Sequence, residues 1–261
     1  MTSAFLAAVD AAAAVAARHA DEAEVNRRLT PETVDALRTT GVFRSYVPAA
    51  YGGPEIDPLA VSVALERVAM ADGAAGWCAM IAATTTSIAC LLPPDGAREV
   101  FGDPASISGG AYAPSGSATT ADGGYRLSGR WSWGSGTDHC DWITGGAVTD
   151  AGETRLFFIP AHEVTLHDTW YSSGLQGTAS GDFSVDDVFV PADRTMRPGF
   201  GPRHVDSPVA LFPMFNLLAS GVASVCLGIA QRAVDEIVAL AQGKMPTFAS
   251  KTLAHQQIAQ I

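Results

Sequence analysis

Near Pro104 the apolar pattern of this chain changes period, and near Pro208 it changes back. The first hundred residues repeat apolar side chains at helical spacing. Residues 104–191 alternate them in short runs, and the segment after Pro208 is helical again. Helices and strands kept in separate blocks exclude a doubly wound sheet, in which they would alternate along the chain. The expected fold class is therefore α+β. It has an N-terminal helical domain over residues 1–103, a middle β-barrel or sandwich domain over 104–200, and the incomplete start of a C-terminal helical bundle over 201–261.

Local signals agree with this division. Thr30-Pro31 is a capping residue followed by proline at the first helical position, and Gly41 ends that helix. Asp57-Pro58 repeats the device and opens a helix with Leu59, Val63, Ala64, Val68 and Ala69 on its apolar face, which Gly73 closes. A third, almost wholly apolar helix is expected through Trp77 to Leu92, buried on most sides. Strands are expected at 125–133, 142–148, 155–159 and 182–190, separated by turns at Asp122-Gly123-Gly124 and Asp150-Ala151-Gly152. Helix resumes at Pro208, breaks at 243–250, and starts again at Lys251.

Several classes of function are excluded. A net charge of −11 with no Lys/Arg cluster leaves no footprint for nucleic acid. The four cysteines lack CxxC spacing and are expected to be buried free thiols of a cytoplasmic protein. The histidines show no helical pair with a third ligand nearby, so no metal site is expected. There is no G-x-S-x-G, no G-x-G-x-x-G and no Walker lysine loop. The alanine-rich start lacks a basic segment and is expected to be helix rather than a signal peptide. The apolar stretch 208–230 is interrupted by Pro213 and Asn216 and continues into Gln231, Arg232 and Asp235. A bundle helix is expected there, with no membrane partner.

Residues 129–142 (GRWSWGSGTDHCDW) resemble the middle domain of the acyl-CoA dehydrogenase superfamily, most closely its reduced-flavin-dependent two-component monooxygenases. Four further segments match in order: VPAAYGGPEIDP (47–58), VFGDPASISGGAYAPSGSA (100–118), GGYRLSG (123–129) and WYSSGLQGTASGDFSVDDVFVP (170–191). The resemblance implies a flavin cofactor, FAD or FMN. An isoalloxazine ring is flat, largely apolar and edged with hydrogen-bonding groups, so it needs an apolar wall and a few fixed polar partners. The matching positions make Trp133 the wall and Ser135 a catalytic hydroxyl near N5, with the two expected to alternate on one strand face. Gly110, Ala111, Tyr112, Pro114 and Gly136 join them as implied cofactor-binding residues.

On the substrate side, the resemblance points to Trp77, Thr84, Thr85 and Thr86. Related hydroxylases often carry a histidine near these threonines, and this chain has none there. His139 follows the serine and is either an acid–base group or a strand-end residue. Only Pro114 clearly keeps the dehydrogenase pattern in its segment, which weakens a CoA-thioester reading. The chain ends in mid-pattern at HQQIAQI. The family's bundle continues further and carries a catalytic carboxylate or a second histidine, so a fragment, or a chain completed by a partner, is expected. Three functions follow as expectations. The first is a monooxygenase-like oxidoreductase using reduced flavin and O2 on a small organic substrate, with a flavin reductase as partner. The second is an acyl-CoA dehydrogenase using FAD, and the third a non-catalytic subunit. Each is expected in a homo-tetramer or homo-dimer.

Overall fold

The structure is a computed structural model, which describes residues 2–199 and 201–256. Five helices come first: α1 (Thr2–Asn26), α2 (Pro31–Thr40), α3 (Pro58–Ala71), α4 (Gly73–Thr85) and α5 (Pro94–Phe101). The starts of α2, α3 and α4 follow from short polar side chains that satisfy exposed backbone N–H groups. Thr30 accepts from Thr33 N at 3.3 Å, and Gly41, at φ 79°, ends α2 in a left-handed cap. Asp57 accepts from Leu59 N (2.9 Å) and Ala60 N (3.3 Å). Asp72 both ends α3 and caps α4, accepting from Ala74 N (3.0 Å) and Ala75 N (3.2 Å). Gly73 therefore opens α4 rather than closing α3, because the break is made by the extended backbone of Asp72. The apolar helix is also shorter than its pattern suggested. After Thr85 it tightens into a 3-10 stretch, Thr86–Leu91.

Seven strands follow: β1 (Ser108–Ala121), β2 (Gly124–Trp131), β3 (Trp142–Thr149), β4 (Thr154–Pro160), β5 (Thr165–His167), β6 (Asp182–Pro191) and β7 (Thr195–Met196). They form one sheet in the order β5-β6-β2-β1-β3-β4-β7, antiparallel except for the β1–β3 pair. Asp122-Gly123 is the two-residue hairpin loop of β1 and β2, with Gly123 at φ 74°. β2 stops at Trp131, two residues short of the expected end. The sheet curls over its own core, so that Phe157 of β4 meets Tyr125 of β2 edge-on at 5.5 Å. Trp131 lies at the centre, 1% exposed, stacked on Phe183 at 5.1 Å, with its indole N–H donating to Gly146 O at 2.7 Å. Gly116, Gly129 and Gly145 surround that ring, and a Cβ on any of them would fall within 2.8 Å of it or of each other's backbone. The opposite sheet face packs Leu156, Phe158 and Met196 against α5 and the 3-10 stretch.

α6 (Met214–Gly243) returns across α3 and α4. It starts after a 3-10 turn, Val209–Leu211, and after Pro213, not at Pro208. Gly228 allows the close approach, since a Cβ there would lie 2.3 Å from Glu66 O. Leu217 and Val225 are buried on this face, while Leu227, Val234, Ile237, Val238 and Leu240 on the others are exposed. Cys226 is exposed there too, unlike the buried Cys78 and Cys90. The helix expected from Lys251 is only a 3-10 turn, Leu253–His255, because Leu253 N folds back to Lys244 O at 2.9 Å. Residues 257–261 of that expectation lie outside the described residues. Among the described residues, two helical stretches are long and apolar enough to cross a membrane: Gly73–Leu91, 83% buried, and Met214–Gly243, 28% buried.

Trp131→Ala should lower the unfolding free energy by about 3–5 kcal/mol in denaturant melts, the range for emptying a large buried aromatic site. Trp133→Ala, two residues away but exposed, should change it by about 0.5 kcal/mol or less.

Candidate functional site

Two loops meet over α4. Residues 132–136 leave the end of β2, and residues 175–181 lead into β6. Gly134 N donates to Gly181 O at 2.9 Å and Gly136 N donates to Thr178 O at 2.8 Å, which laces the loops together. Gly136 sits at φ 70°, and a Cβ on it would lie 2.9 Å from the His139 ring. From α1, Glu24 accepts from Gln176 N at 3.0 Å. Arg27 grips Asp168 through both oxygens at 2.5 and 2.7 Å and reaches Trp170 O at 3.0 Å. Hydrogen bonds from Arg27 and then Tyr171 hold the Asp168 carboxyl down at about 2.

Trp133 is not on a strand. It has a left-handed backbone, φ 63°, and Ser135 N turns back to its carbonyl at 2.9 Å. The strand alternation expected for Trp133 and Ser135 is replaced by a tight turn, which directs both side chains to one cavity of about 330 Å³. Trp77, Trp170, Leu175, Thr178 and Ser180 complete its lining. Leu175 (φ 54°) and Ala179 (φ 48°) are also left-handed. Left-handed backbone costs about 1–2 kcal/mol per non-glycine residue, and three such residues in two short loops concentrate strain here. Trp133 is 73% exposed, a large apolar face with little of the protein upon it.

Ser135 is buried at the base of the cavity. Its hydroxyl accepts from Trp77 Nε1 at 3.0 Å and lies 2.6 Å from Ser180 Oγ. Ser180 Oγ is in turn 2.6 Å from Thr178 Oγ1, which donates to Leu175 O at 2.8 Å. Of the residues singled out from sequence, Trp77, Trp133 and Ser135 are therefore brought together, with Gly136 shaping the turn. Trp170, Leu175, Thr178 and Ser180 escaped that reading. All four fall within the matching segment 170–191, in which no single residue was given a role.

The other expected site residues lie elsewhere. Gly110, at φ 138°, passes so close to β3 that a Cβ would lie 2.1 Å from Thr144 O. Ala111 packs toward the sheet core, Pro114 is exposed, and a register shift separates Ala111 from Gly116. The Tyr112 hydroxyl is buried near Thr85 without a hydrogen-bond partner of good geometry. Thr84, Thr85 and Thr86 donate to carbonyls of their own helix, Met80, Ile81 and Ala83, at 2.7, 2.8 and 2.6 Å. They do not line the cavity. His139 belongs to a 3-10 turn, 3.2 Å from Asp138 and 5.9 Å from the Phe43 ring, and not to a strand end. A second hollow, about 190 Å³, lies between Arg27, Asp138, His167, Asp168 and Asp182. Within it Arg27 pairs with Asp168, and Asp182 pairs with Arg130 outside it, while Arg28 also lines the hollow. Among the described residues, no three His, Cys, Asp or Glu side chains are grouped to hold a metal.

Residues 3–94 match the acyl-CoA dehydrogenase N-terminal domain family. The chain is 31% identical over 245 residues to indole-3-acetate monooxygenase of Pseudomonas putida, spanning 92% of this chain and 62% of that protein. Among solved structures it resembles the HsaA monooxygenase of M. tuberculosis, with a TM-score of 0.84 and 31% identity over 92% of this chain and 70% of that one. It also resembles XiaF from Streptomyces sp. in complex with FADH2 and glycerol, with a TM-score of 0.87, 26% identity, and coverage of 96% of this chain and 66% of that one. The chain thus spans less than two thirds of the length of the Pseudomonas relative.

Tyr112 gives a pH signature. Burial pushes its hydroxyl up from 10.0 to about 12, so in this window the unfolded chain releases the proton and the folded chain keeps it. Stability should then fall as pH rises from 10 toward 12, with Tyr112 contributing on the order of 2 kcal/mol of the loss. Melting temperatures of Tyr112→Phe across this range should fall less steeply than those of the parent chain.

Proposed function

The chain belongs to the acyl-CoA dehydrogenase-like family of flavin-dependent monooxygenases, and from that premise we propose that its tryptophan-walled cavity binds the ring system of a reduced flavin, FMN or FAD. The observation that carries this reading is the Ser135 hydroxyl, buried and fixed by Trp77 and Ser180, at the base of a cavity whose walls are otherwise mostly apolar. That combination fits a flat aromatic ring with one polar edge. Trp133 provides a broad face already in place, held by a strained turn that the surrounding hydrogen bonds maintain. The chemistry a reduced flavin supplies when bound is two-electron activation of O2, with one oxygen atom inserted into a small organic substrate and the other released as water.

This chain's residues contribute position and exclusion. Trp77 Nε1 and Ser180 Oγ hold the Ser135 oxygen in one place, so no reorganisation is needed when a ring edge arrives. Trp133 and Trp170, as apolar walls of the cavity, would hold the ring and exclude water from it. A flavin reductase is the partner such an oxygenase requires. The exposed apolar side chains of α6 support association into a homo-dimer or homo-tetramer, since a patch of this kind is seldom left in water. Gly110, Ala111, Tyr112 and Pro114, and Thr84 to Thr86, are outside the lining of this cavity, and any part they take in flavin or substrate binding belongs to the same proposal. The domain division at about 103 and 200 and a cytoplasmic location belong to the same proposal.

Anaerobic titration with reduced FMN or FAD should quench tryptophan fluorescence saturably, with a dissociation constant in the micromolar range or below. Trp133→Gly should weaken binding at least ten-fold while leaving stability within about 1 kcal/mol, because relief of left-handed strain offsets the added chain entropy. No saturable quenching in the parent chain, or full affinity in Trp133→Gly, would overturn the proposal.

A further inference from the structure

The hydroxyls beneath the cavity form a chain with a direction. Each carries one proton to donate. Thr178 donates its proton to Leu175 O at 2.8 Å, so toward Ser180, 2.6 Å away, it can only accept. Ser180 therefore donates to Thr178 and can only accept from Ser135, at 2.6 Å. Trp77 Nε1 is a donor only, and at 3.0 Å it occupies one lone pair of Ser135. The Ser135 proton thus points away from the cavity, and the hydroxyl offers the cavity its remaining lone pair. Ser135, Thr178 and Ser180 are all buried by the protein, so the cavity they line is their one opening toward a ligand.

We propose that Thr178 and Ser180 are positioning residues that fix the direction of the Ser135 proton, so that the site favours reduced over oxidised flavin. The inference rests on the flavin reading above. A reduced flavin carries an N–H at N5, where the oxidised ring has a bare lone pair. A lone pair from Ser135 attracts the first and repels the second. Accommodating the oxidised ring requires all three hydroxyls to turn round, and Thr178 then gives up Leu175 O. That carbonyl keeps Trp170 Nε1 and Thr178 N, each at 3.1 Å, so reversal removes one internal hydrogen bond and breaks nothing else. The resulting preference is about ten-fold, the usual net effect of one such bond.

The test is the ratio of the oxidised to the reduced flavin dissociation constant, read with FMN and FAD, together with the midpoint potential of the bound flavin. Thr178→Val removes the terminal acceptor. Ser180 then donates to Ser135, whose proton turns into the cavity. The ratio should drop about ten-fold, which for a two-electron couple is a potential about 30 mV more negative. Thr178→Ser keeps the hydroxyl and should restore the parent ratio, an outcome that packing alone would not produce. Ser180→Ala frees the Ser135 proton and should also lower the ratio, so it carries the test if the valine variant does not fold. An unchanged ratio in a folded Thr178→Val or Ser180→Ala protein that still binds flavin would overturn the inference and leave the flavin reading standing. Absence of binding by the parent chain in either redox state would overturn both.

Discussion

The lacing of the loop after β2 to the loop before β6 is the contact on which the rest of the site depends. Gly134 N to Gly181 O and Gly136 N to Thr178 O join segments more than forty residues apart, and both loops rest on α4. Without that lacing, nothing would hold Trp133, Leu175 and Ala179 in left-handed backbone, which isolated chains avoid. Glu24 of α1 ties the loop before β6 to the helices through Gln176 N, and Arg27, just past the end of α1, holds Asp168 and Trp170 ahead of that loop. The cavity is therefore a junction between helix and sheet, with Trp77 from α4 and the remaining lining from the loops that flank β2 and β6.

Trp131 and Trp133 stand two residues apart and do opposite work. Trp131 is enclosed by three glycines and donates its N–H to Gly146 O, so its energy goes into folding the sheet. Trp133 remains largely in water, on a strained turn, and adds little to stability. In the proposed function, a side chain of that size held out at such a position is the wall for the flavin ring. The hydroxyls below it extend the same preorganisation from shape to proton direction.

Much of this was legible in the sequence, and the exceptions share a cause. The caps at Thr30 and Asp57, the hairpin at Asp122-Gly123 and the change of period near Pro104 are local, so they could be found without the fold. The family membership came through the resemblance of residues 129–142, which also singled out Trp133 and Ser135, the two residues that the turn brings to one cavity. The strand parity of Trp133 failed because Gly134 and Gly136 admit a turn that alternation cannot reveal. Thr84, Thr85 and Thr86 were misleading because a hydroxyl within a helix finds its own carbonyls first. Thr178 and Ser180 lie in the matching segment 170–191, but their role was hidden because they sit in an aperiodic turn whose meaning depends on Ser135, a contact that only the folded chain makes.

The central claim is that Trp133 and Ser135 form the face and the edge of a flavin-ring site. A crystal structure of the protein grown with reduced flavin tests this most directly. The ring should lie against the Trp133 indole, with a ring nitrogen within about 3.2 Å of Ser135 Oγ, an ordinary hydrogen-bond distance. Flavin bound elsewhere on the protein, or in this cavity with its polar edge turned away from Ser135, would contradict it.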